Sequence, residues 1–235
     1  RELFISSDNQ LWVSSFDGLY RTSLKGLTPE RAMETVFSGN PWTTSFTEDS
    51  FGNIWIGTYR NGTFCFHKNQ TPFQKSMSGK NIECMSTDHS GNYWIGSLNG
   101  EVCVLDSTQK QIMGKTIFPN DMIHTICGQE SSNKVWVGTM YGLYEAWIES
   151  NKQIVYQKTS GINIPSIRSI VQDSCFLWIA SYNNGVTLYN YSTQQSVVTY
   201  KTDSEVLPLP SNTIRTILKD RENNLWVGTA EGLVV

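Results

Sequence analysis

The side chains of this chain that could bind a polar ligand recur at one position of a repeated pattern. Five residues before a turn aspartate, or before the glutamine that replaces it once, the chain carries Thr44, Glu83, His124, Arg168 and Arg215. Guanidinium, imidazole and carboxylate groups suit recognition of a polar or charged ligand. A position that serves only the fold would keep one identity, whereas this one varies, so it is a candidate ligand site. The alternative is a rim of solvated charges.

The sequence contains few residues in a pattern that is typical of a catalytic or metal-binding site. The three histidines, His67, His89 and His124, fall in different repeats, and none of them form a pair with metal-ligand spacing. No Gly-x-Ser-x-Gly nucleophile motif occurs, and any acidic chain could supply two carboxylates for a glycosidase. The five cysteines are at least 19 residues apart, which excludes a zinc motif. We expect no catalytic residue, no metal and no cofactor in this segment.

A long repeat spaces these residues. Six tryptophans flanked by aliphatic or aromatic residues follow one another at steps of 43, 39, 42, 42 and 48 residues, at positions 12, 55, 94, 136, 178 and 226. A period of this size is typical of propellers and other repeat architectures. Each unit contains short β-branched or aromatic runs separated by turns rich in Gly, Asn and Asp, which indicates strands. Four strands for each repeat predict one blade of a β-propeller.

The sequence therefore predicts an all-β fold with five complete four-stranded blades and three strands of a sixth. The blades cover approximately residues 2–36, 42–76, 81–117, 122–158, 166–201 and, in part, 211–235. We treat residues 1–235 as a single propeller segment of a larger protein, with seven blades expected in the closed ring and six as the alternative. The repeated tryptophans are expected in the core, and the glycine that follows four of them indicates close approach of another backbone.

Connections between the second and third strands should project at the same end of the blades as the variable first-strand position. They are rich in Tyr, Asn and Arg, and a Trp precedes one of the first strands. Aromatic rings stack on the C–H face of a sugar, and planar amide or guanidinium groups bind its hydroxyl or acid groups. The candidate ligand-binding residues are Trp42, Tyr59, Arg60, Glu83, His124, Tyr141, Arg168, Tyr182, Asn183 and Arg215.

The overall charge and hydropathy exclude two classes of partner for this segment. The formal net charge is −3 and the isoelectric point is about 5.6, which is unlike the basic surface of a nucleic-acid-binding protein. No run of 18 apolar residues could form a membrane-spanning helix, and no signal peptide is visible. We expect contact with the membrane only through another part of a longer protein.

The repeated pattern closely resembles the two-component regulator propeller repeat, Ile-x-x-Ile-x-x-Asp-x-x-Gly/Asn-Asn-Leu-Trp-Val/Ile-Gly-Thr-x-x-Gly-Leu. The best copies run from Ile214 to Leu233 and from Asp49 to Gly62, followed by Asp88 to Gly100 and Val135 to Leu143. Blades one and five depart from it, because Ser14-Ser15 and Ala180-Ser181 replace Gly-Thr. The repeat is typical of the periplasmic sensor region of hybrid two-component sensor histidine kinases of Bacteroides-type gut bacteria.

This resemblance implies a function as well as a fold. In that family, two seven-bladed propellers precede a β-sandwich domain, a membrane helix and a cytoplasmic kinase. The ectodomain forms a homodimer, recognises oligosaccharides and controls polysaccharide-utilisation genes. The segment is thus expected to be periplasmic, within an inner-membrane protein, and not itself an enzyme. A protein-interaction scaffold is one alternative. A streptogramin-lyase-like enzyme is another, but such enzymes use histidines and a metal at the channel mouth, where only His124 is suitably placed.

Overall fold

A computed structural model describes residues 2–15, 18–25, 32–38, 42–59, 61–66, 74–76, 81–106, 111–118 and 120–235. The chain forms two compact units, residues 1–86 and residues 87–235. All regular structure in the described ranges is β-strand. Those ranges contain no helix with the length and apolar character that crossing a membrane requires.

The first unit contains two four-stranded antiparallel blades and most of one further strand. Each blade is a meander in which strands adjacent in sequence pair, in the orders β1-β2-β3-β4 and β5-β6-β7-β8. The strands are β1 Leu3–Ile5, β2 Gln10–Ser14, β3 Gly18–Ser23, β4 Glu34–Ser38, β5 Thr43–Glu48, β6 Ile54–Thr58, β7 Gly62–Phe66, β8 Gln74–Ser76 and β9 Ile82–Thr87, the last of which spans the division between the units.

The second unit continues the pattern through the remaining blades. Strands β10 to β12 belong with β9 to the third blade, β13 to β16 form the fourth, β17 to β20 the fifth and β21 to β23 the sixth. Their bounds are β10 Tyr93–Ser97, β11 Glu101–Leu105, β12 Gln111–Thr116, β13 Ile123–Gly128, β14 Lys134–Thr139, β15 Leu143–Ile148, β16 Ile154–Lys158, β17 Ile167–Asp173, β18 Phe176–Ser181, β19 Gly185–Asn190, β20 Gln195–Tyr200, β21 Ile214–Lys219, β22 Leu225–Thr229 and β23 Gly232–Val234. The predicted β-propeller with five four-stranded blades and a three-stranded sixth is confirmed, and the seventh blade stays a prediction.

The hydrophobic core lies between neighbouring blades. In the second unit, Trp136 and Leu143 of blade four pack with Ile167, Ile170 and Leu177 of blade five, and all five are buried. Gly138 lies at this contact, where an added Cβ would come within 2.6 Å of Ile167 Cγ2. The glycine thus leaves room for the Ile167 side chain of the next blade. The sequence predicts close approach of another backbone, whereas the nearest atoms at Gly138 belong to the side chains of Ile167 and Thr125. Four of the repeated tryptophans are buried, whereas Trp178 and Trp226 are half-buried.

A hydrogen-bonded turn ties the tryptophan to the connection between the first and second strands. In blade three, Asp88 Oδ1 accepts from the Asn92 backbone N–H at 3.0 Å. Asp88 Oδ2 accepts from Asn92 Nδ2 and from Trp94 Nε1, both at 2.9 Å. Asp49 and Asp220 bind the indoles of their own blades in the same way. The turn aspartates thus have a structural role, as expected for Asp side chains that bond their own turn.

Two blades lack this aspartate, and their tryptophans show the effect. Ser6 takes the position in blade one, because its N–H donates to the Gln10 carbonyl at 3.0 Å as the aspartates do in their turns. Gln129 takes it in blade four, with its N–H on the Lys134 carbonyl at 3.0 Å. Among the described residues, the buried indole N–H groups of Trp12 and Trp136 have no hydrogen-bond partner.

All five cysteines are thiols, and three of them, Cys65, Cys84 and Cys103, are buried in strands. Burial raises the pKa of the Cys65 thiol to about 12. Burial likewise raises the pKa of Cys127 to about 11. These cysteines fill the apolar layers as small hydrophobic side chains.

Replacing Asp88 by Ala should lower the free energy of unfolding by about 1–3 kcal/mol, because the buried indole N–H of Trp94 loses its acceptor. Chemical denaturation followed by tryptophan fluorescence measures the change. Asp203→Ala, at an exposed turn residue, is the matched control and should alter stability by less than about 0.5 kcal/mol. Equal effects of the two substitutions would show that the turn aspartate contributes nothing specific.

Asp220 should make the stability depend on pH in the acid range. Hydrogen bonds from Trp226 Nε1 and from Asn224 lower the pKa of its carboxyl below the ordinary value. Because the folded-state pKa is the lower one, this stabilisation is complete above the unfolded-state pKa of about 4 and is lost as the pH falls through the folded-state value. Melting temperatures measured from neutral to acid pH should fall less steeply for Asp220→Asn than for the parent. Parallel curves would contradict this assignment.

Candidate functional site

The variable position of the repeat is the extra residue of a β-bulge on the first strand of a blade. In blade four, Ile123 is opposite Thr139 and Thr125 is opposite Gly138, so that His124 has no Cα partner on the second strand. The same shift in register leaves out Thr44, Arg168 and Arg215 in their blades. A bulge bends the strand locally and re-aims the side chain of the extra residue. The bulge therefore explains why the residue type at this position varies from blade to blade, whereas other positions of the repeat keep one residue type.

In the second unit, the structure brings three of these bulge residues and one tyrosine into a cluster, the Arg–Tyr cluster of His124, Arg168, Tyr182 and Arg215. Arg168 Nη1 lies 3.2 Å from His124 Nδ1. The guanidinium carbons of Arg168 and Arg215 lie 5.3 Å and 5.9 Å from the centroid of the Tyr182 ring. Both distances are within the range of a cation–π interaction.

His124 and Arg168 support each other, while Arg215 faces solvent. A guanidinium has only donors, so Nδ1 of His124 accepts this hydrogen bond and carries no proton. His124 is buried, at 7% exposure, Arg168 is half-buried and Arg215 is exposed. Within the part of the chain that the structure describes, Arg215 makes no ion pair. The cluster thus combines one anchored guanidinium with one that a ligand can reach.

Backbone hydrogen bonds hold Tyr182 in this place. Its N–H donates to the Ser166 carbonyl at 3.0 Å, and it forms an isolated β-bridge with Thr213 at the start of blade six. The next residue, Asn183, has a positive φ of 80° and accepts a hydrogen bond from Thr213 Oγ1 at 2.8 Å. The backbone of Tyr182 is therefore held by Ser166 and by Thr213 of blade six, and Asn183 contributes through its side-chain amide oxygen.

The first unit contains a separate aromatic pair. The rings of Trp42 and Tyr59 have centroids 5.4 Å apart, and the Tyr59 N–H donates to the Trp42 carbonyl at 3.0 Å. Trp42 is 44% exposed and has a positive φ of 43°, which is strained for a bulky residue. The Thr44 hydroxyl donates to the Ile82 carbonyl, which gives this bulge residue a structural role.

Two carboxyl groups share the first unit with this pair. Glu83, a candidate from the sequence, is half-buried on β9. Burial, together with the charge of nearby Glu83, raises the pKa of Glu2 to about 8. Glu2 was not singled out from the sequence, because nothing in its neighbourhood along the chain indicates that it is buried.

The remaining candidates lie outside these groups. Tyr141 is 58% exposed in the turn after β14, where its N–H donates to Thr139 Oγ1 at 3.1 Å. Arg60 lies outside the described residues. Sequence reasoning missed Ser166 and Thr213, although each precedes a first strand as Trp42 does, and that shared position is the signal that could have identified them. A ligand-binding role for all ten candidates stays a prediction.

The described residues include no group of three or more His, Cys, Asp or Glu side chains arranged to hold a metal ion. The Arg–Tyr cluster combines two cations with an aromatic ring. Its donors suit an anion, and the Tyr182 ring suits an apolar face.

Separate substitutions of Arg168 and Arg215 should show which of the two side chains stabilises the fold. Arg168→Ala removes the donor to buried His124 and should lower the free energy of unfolding by about 1–3 kcal/mol. Arg215→Ala alters an exposed side chain and should change the free energy of unfolding by less than about 0.5 kcal/mol. Thermal or chemical denaturation of both variants checks the difference. A large loss of stability in Arg215→Ala would show that its guanidinium is part of the folded framework.

Comparison with known proteins adds to this picture. The family model of the two-component regulator propeller matches residues 37–60 and 208–231. No curated protein matches the chain. Among solved structures, the chain is similar to the extracellular domain described for the hybrid two-component system BT3049 of B. thetaiotaomicron, with 20% identity and a TM-score of 0.64, over 99% of this chain and 38% of that one.

Two further propellers are similar in fold. An auxiliary nutrient-binding protein from Bacteroides thetaiotaomicron has 14% identity and a TM-score of 0.76, over 97% of this chain and 66% of that one. A catalytically inactive virginiamycin B lyase from Staphylococcus aureus has 16% identity and a TM-score of 0.72, over 98% of this chain and 77% of that one. At these identities the likeness shows the fold, and this chain spans less than two fifths of the BT3049 domain. The family model confirms the resemblance found in the sequence at two segments of the chain, residues 37–60 and 208–231, which match the two-component regulator propeller.

Proposed function

We propose that this segment is a ligand-sensing and scaffold propeller in the periplasmic region of a hybrid two-component sensor histidine kinase. In this proposal it binds an oligosaccharide and does no catalysis. The parent protein forms a homodimer through its full ectodomain, crosses the inner membrane by its own helix and signals to a kinase that controls polysaccharide-utilisation genes. The family match and the likeness to the extracellular domain of BT3049 support the extracytoplasmic location and the sensor role.

The observation that carries the proposal is the Arg–Tyr cluster. Tyr182 is 38% exposed and has two guanidinium groups within cation–π distance, and the three side chains come from different strands or strand ends of blades five and six. Aromatic and polar groups held on a rigid scaffold, at the ends of its strands, are a common form of binding site. The ring offers a stacking surface for a sugar, and the guanidinium groups offer donors for its oxygens.

The same geometry suggests how binding can be transmitted. A ligand shifts a receptor between two states only through different affinities for them. Arg168 is on β17, Arg215 is on β21 and Tyr182 follows β18, so a ligand that contacts all three bridges two blades. Such a ligand favours the arrangement of blades in which the three side chains converge, and the propeller passes this preference to the rest of the ectodomain.

A lyase-like activity fits the geometry less well. Among the residues that the structure describes, His124 is the only histidine at a bulge position, and it is buried with its Nδ1 on Arg168. A general base or a metal ligand needs a nitrogen that reaches the substrate or the ion. The proposed role is therefore binding, although the virginiamycin B lyase shares the fold.

A protein-interaction scaffold is the second candidate function, and the outer strand of blade five favours it. The first five residues of β20 are exposed on both faces, with Val197 at 57%. The connection that follows carries Val206 at 73% and Leu207 at 65% exposure. Exposed apolar side chains next to an open strand edge are typical of protein-contact surfaces.

Calorimetric titration of the complete ectodomain that contains this segment, against a panel of neutral and acidic oligosaccharides, tests the proposal. We expect one class to bind, and the Arg168→Ala/Arg215→Ala double variant to bind it at least about 10-fold more weakly, because hydrogen bonds to charged groups are lost. Circular dichroism establishes that the double variant is folded.

Two results would contradict the proposal in different ways. Binding that the double variant leaves unchanged would remove the Arg–Tyr cluster as the site. Lack of binding across the panel by a folded ectodomain would favour the scaffold function. In that case Val197→Asp, on the exposed strand, should alter the association state measured by sedimentation.

A further inference from the structure

Two guanidinium groups next to one exposed ring form a site with a specific charge preference. The guanidinium carbons of Arg168 and Arg215 lie 5.3 Å and 5.9 Å from the Tyr182 centroid, so a ligand that contacts this ring would be within reach of both. Two cations that approach the same ring repel each other, and an anion bound by both of them relieves the repulsion. A neutral ligand would leave that repulsion in place.

The two arginines have different parts in such a site. Arg168 is half-buried and anchored on His124, so its orientation is set before binding. Arg215 is exposed and, within the described residues, makes no ion pair, so an anionic group can reach it without breaking one. A guanidinium presents donors in a planar fork that matches two oxygens of an acid group. One arginine is therefore positioned and the other accessible.

The ring that both guanidinium groups approach indicates the rest of the ligand. Tyr182 is held from the backbone by Ser166 and by the bridge to Thr213, and 38% of it is exposed. A fixed aromatic face next to cations suits a ring that has an apolar C–H face and an acid substituent. A free inorganic anion would use the guanidinium groups but would gain nothing from the tyrosine.

From this arrangement we infer that the Arg–Tyr cluster selects acidic saccharides, in which a sugar ring stacks on Tyr182 while its acid group binds Arg215 and Arg168. The inference rests on the proposed function and narrows it from oligosaccharides in general to those with an anionic group. Carboxylate and sulfate share the relevant chemistry, and the experiment below distinguishes them.

The test is a calorimetric titration of the complete ectodomain with trisaccharides matched in length. One arm contains uronic acid trisaccharides, a second contains sulfated trisaccharides, and a third contains their neutral counterparts. We expect an acidic arm to bind at least about 10-fold more tightly than the neutral arm at low salt, and this preference should shrink as sodium chloride is added. Whichever of the uronic acid and sulfated trisaccharides binds more tightly identifies the acid group that the cluster prefers.

Matched variants make the test specific to the cluster. Arg215→Ala should reduce affinity for the acidic ligand about 10-fold or more and reduce affinity for the neutral one by less, so that the preference for the acidic ligand shrinks. Arg221→Ala, an exposed arginine in the turn of the same blade, is the control and should have no effect. Tyr182→Leu should weaken both classes, because it removes the stacking surface, whereas Tyr182→Phe should bind as the parent does.

The outcomes separate the inference from the proposed function. Preference for neutral trisaccharides, or equal affinity for all arms, would overturn the inference and leave the sensor function standing. An acidic preference that Arg215→Ala and Tyr182→Leu do not alter would also overturn it, since the site would lie elsewhere. No binding in any arm by the folded ectodomain would overturn both.

Discussion

The hydrogen bond between a turn aspartate and the tryptophan indole is the interaction on which each regular blade depends. One carboxylate, as in Asp88, closes the turn between the first two strands through Asn92 and also satisfies the buried Trp94 N–H. The indole, which is the largest side chain available for burial, can therefore pack in the core without leaving a polar atom unpaired. Local turn, strand register and inter-blade packing are thereby specified by two side chains six residues apart.

The bulge that follows from this register gives the blade a position for functional variation. The residue after Ile167 and the residue after Ile214 have no partner on the second strand, and their side chains are not part of the hydrophobic core. Arg168 and Arg215 use this position for charge, while Thr44 uses it for a hydrogen bond to the neighbouring strand. The side chain at this position can thus differ from blade to blade without a change in the core.

The sequence was sufficient to predict the blades, because the tryptophan and the turn aspartate recur at fixed spacing and each has a local physical cause. It also indicated the variable position, because Arg168 and Arg215 stand at equal distances from their turn aspartates. The cluster itself could not be predicted from pattern alone. The proximity of both guanidinium groups to Tyr182 depends on the bulges and on the bridge to Thr213, which arise from pairing between residues far apart in sequence.

The buried cysteines have a consequence for redox chemistry. Exchange between a thiol and a disulfide requires the thiolate, and pKa values of about 12 for Cys65 and about 11 for Cys127 leave very little thiolate near neutral pH. The small thiolate fraction at these two positions protects them against mispairing and against oxidation by disulfide-bearing partners. At Cys65 and Cys127, a raised pKa thus gives the protection from exchange that pairing gives to a cysteine in a disulfide.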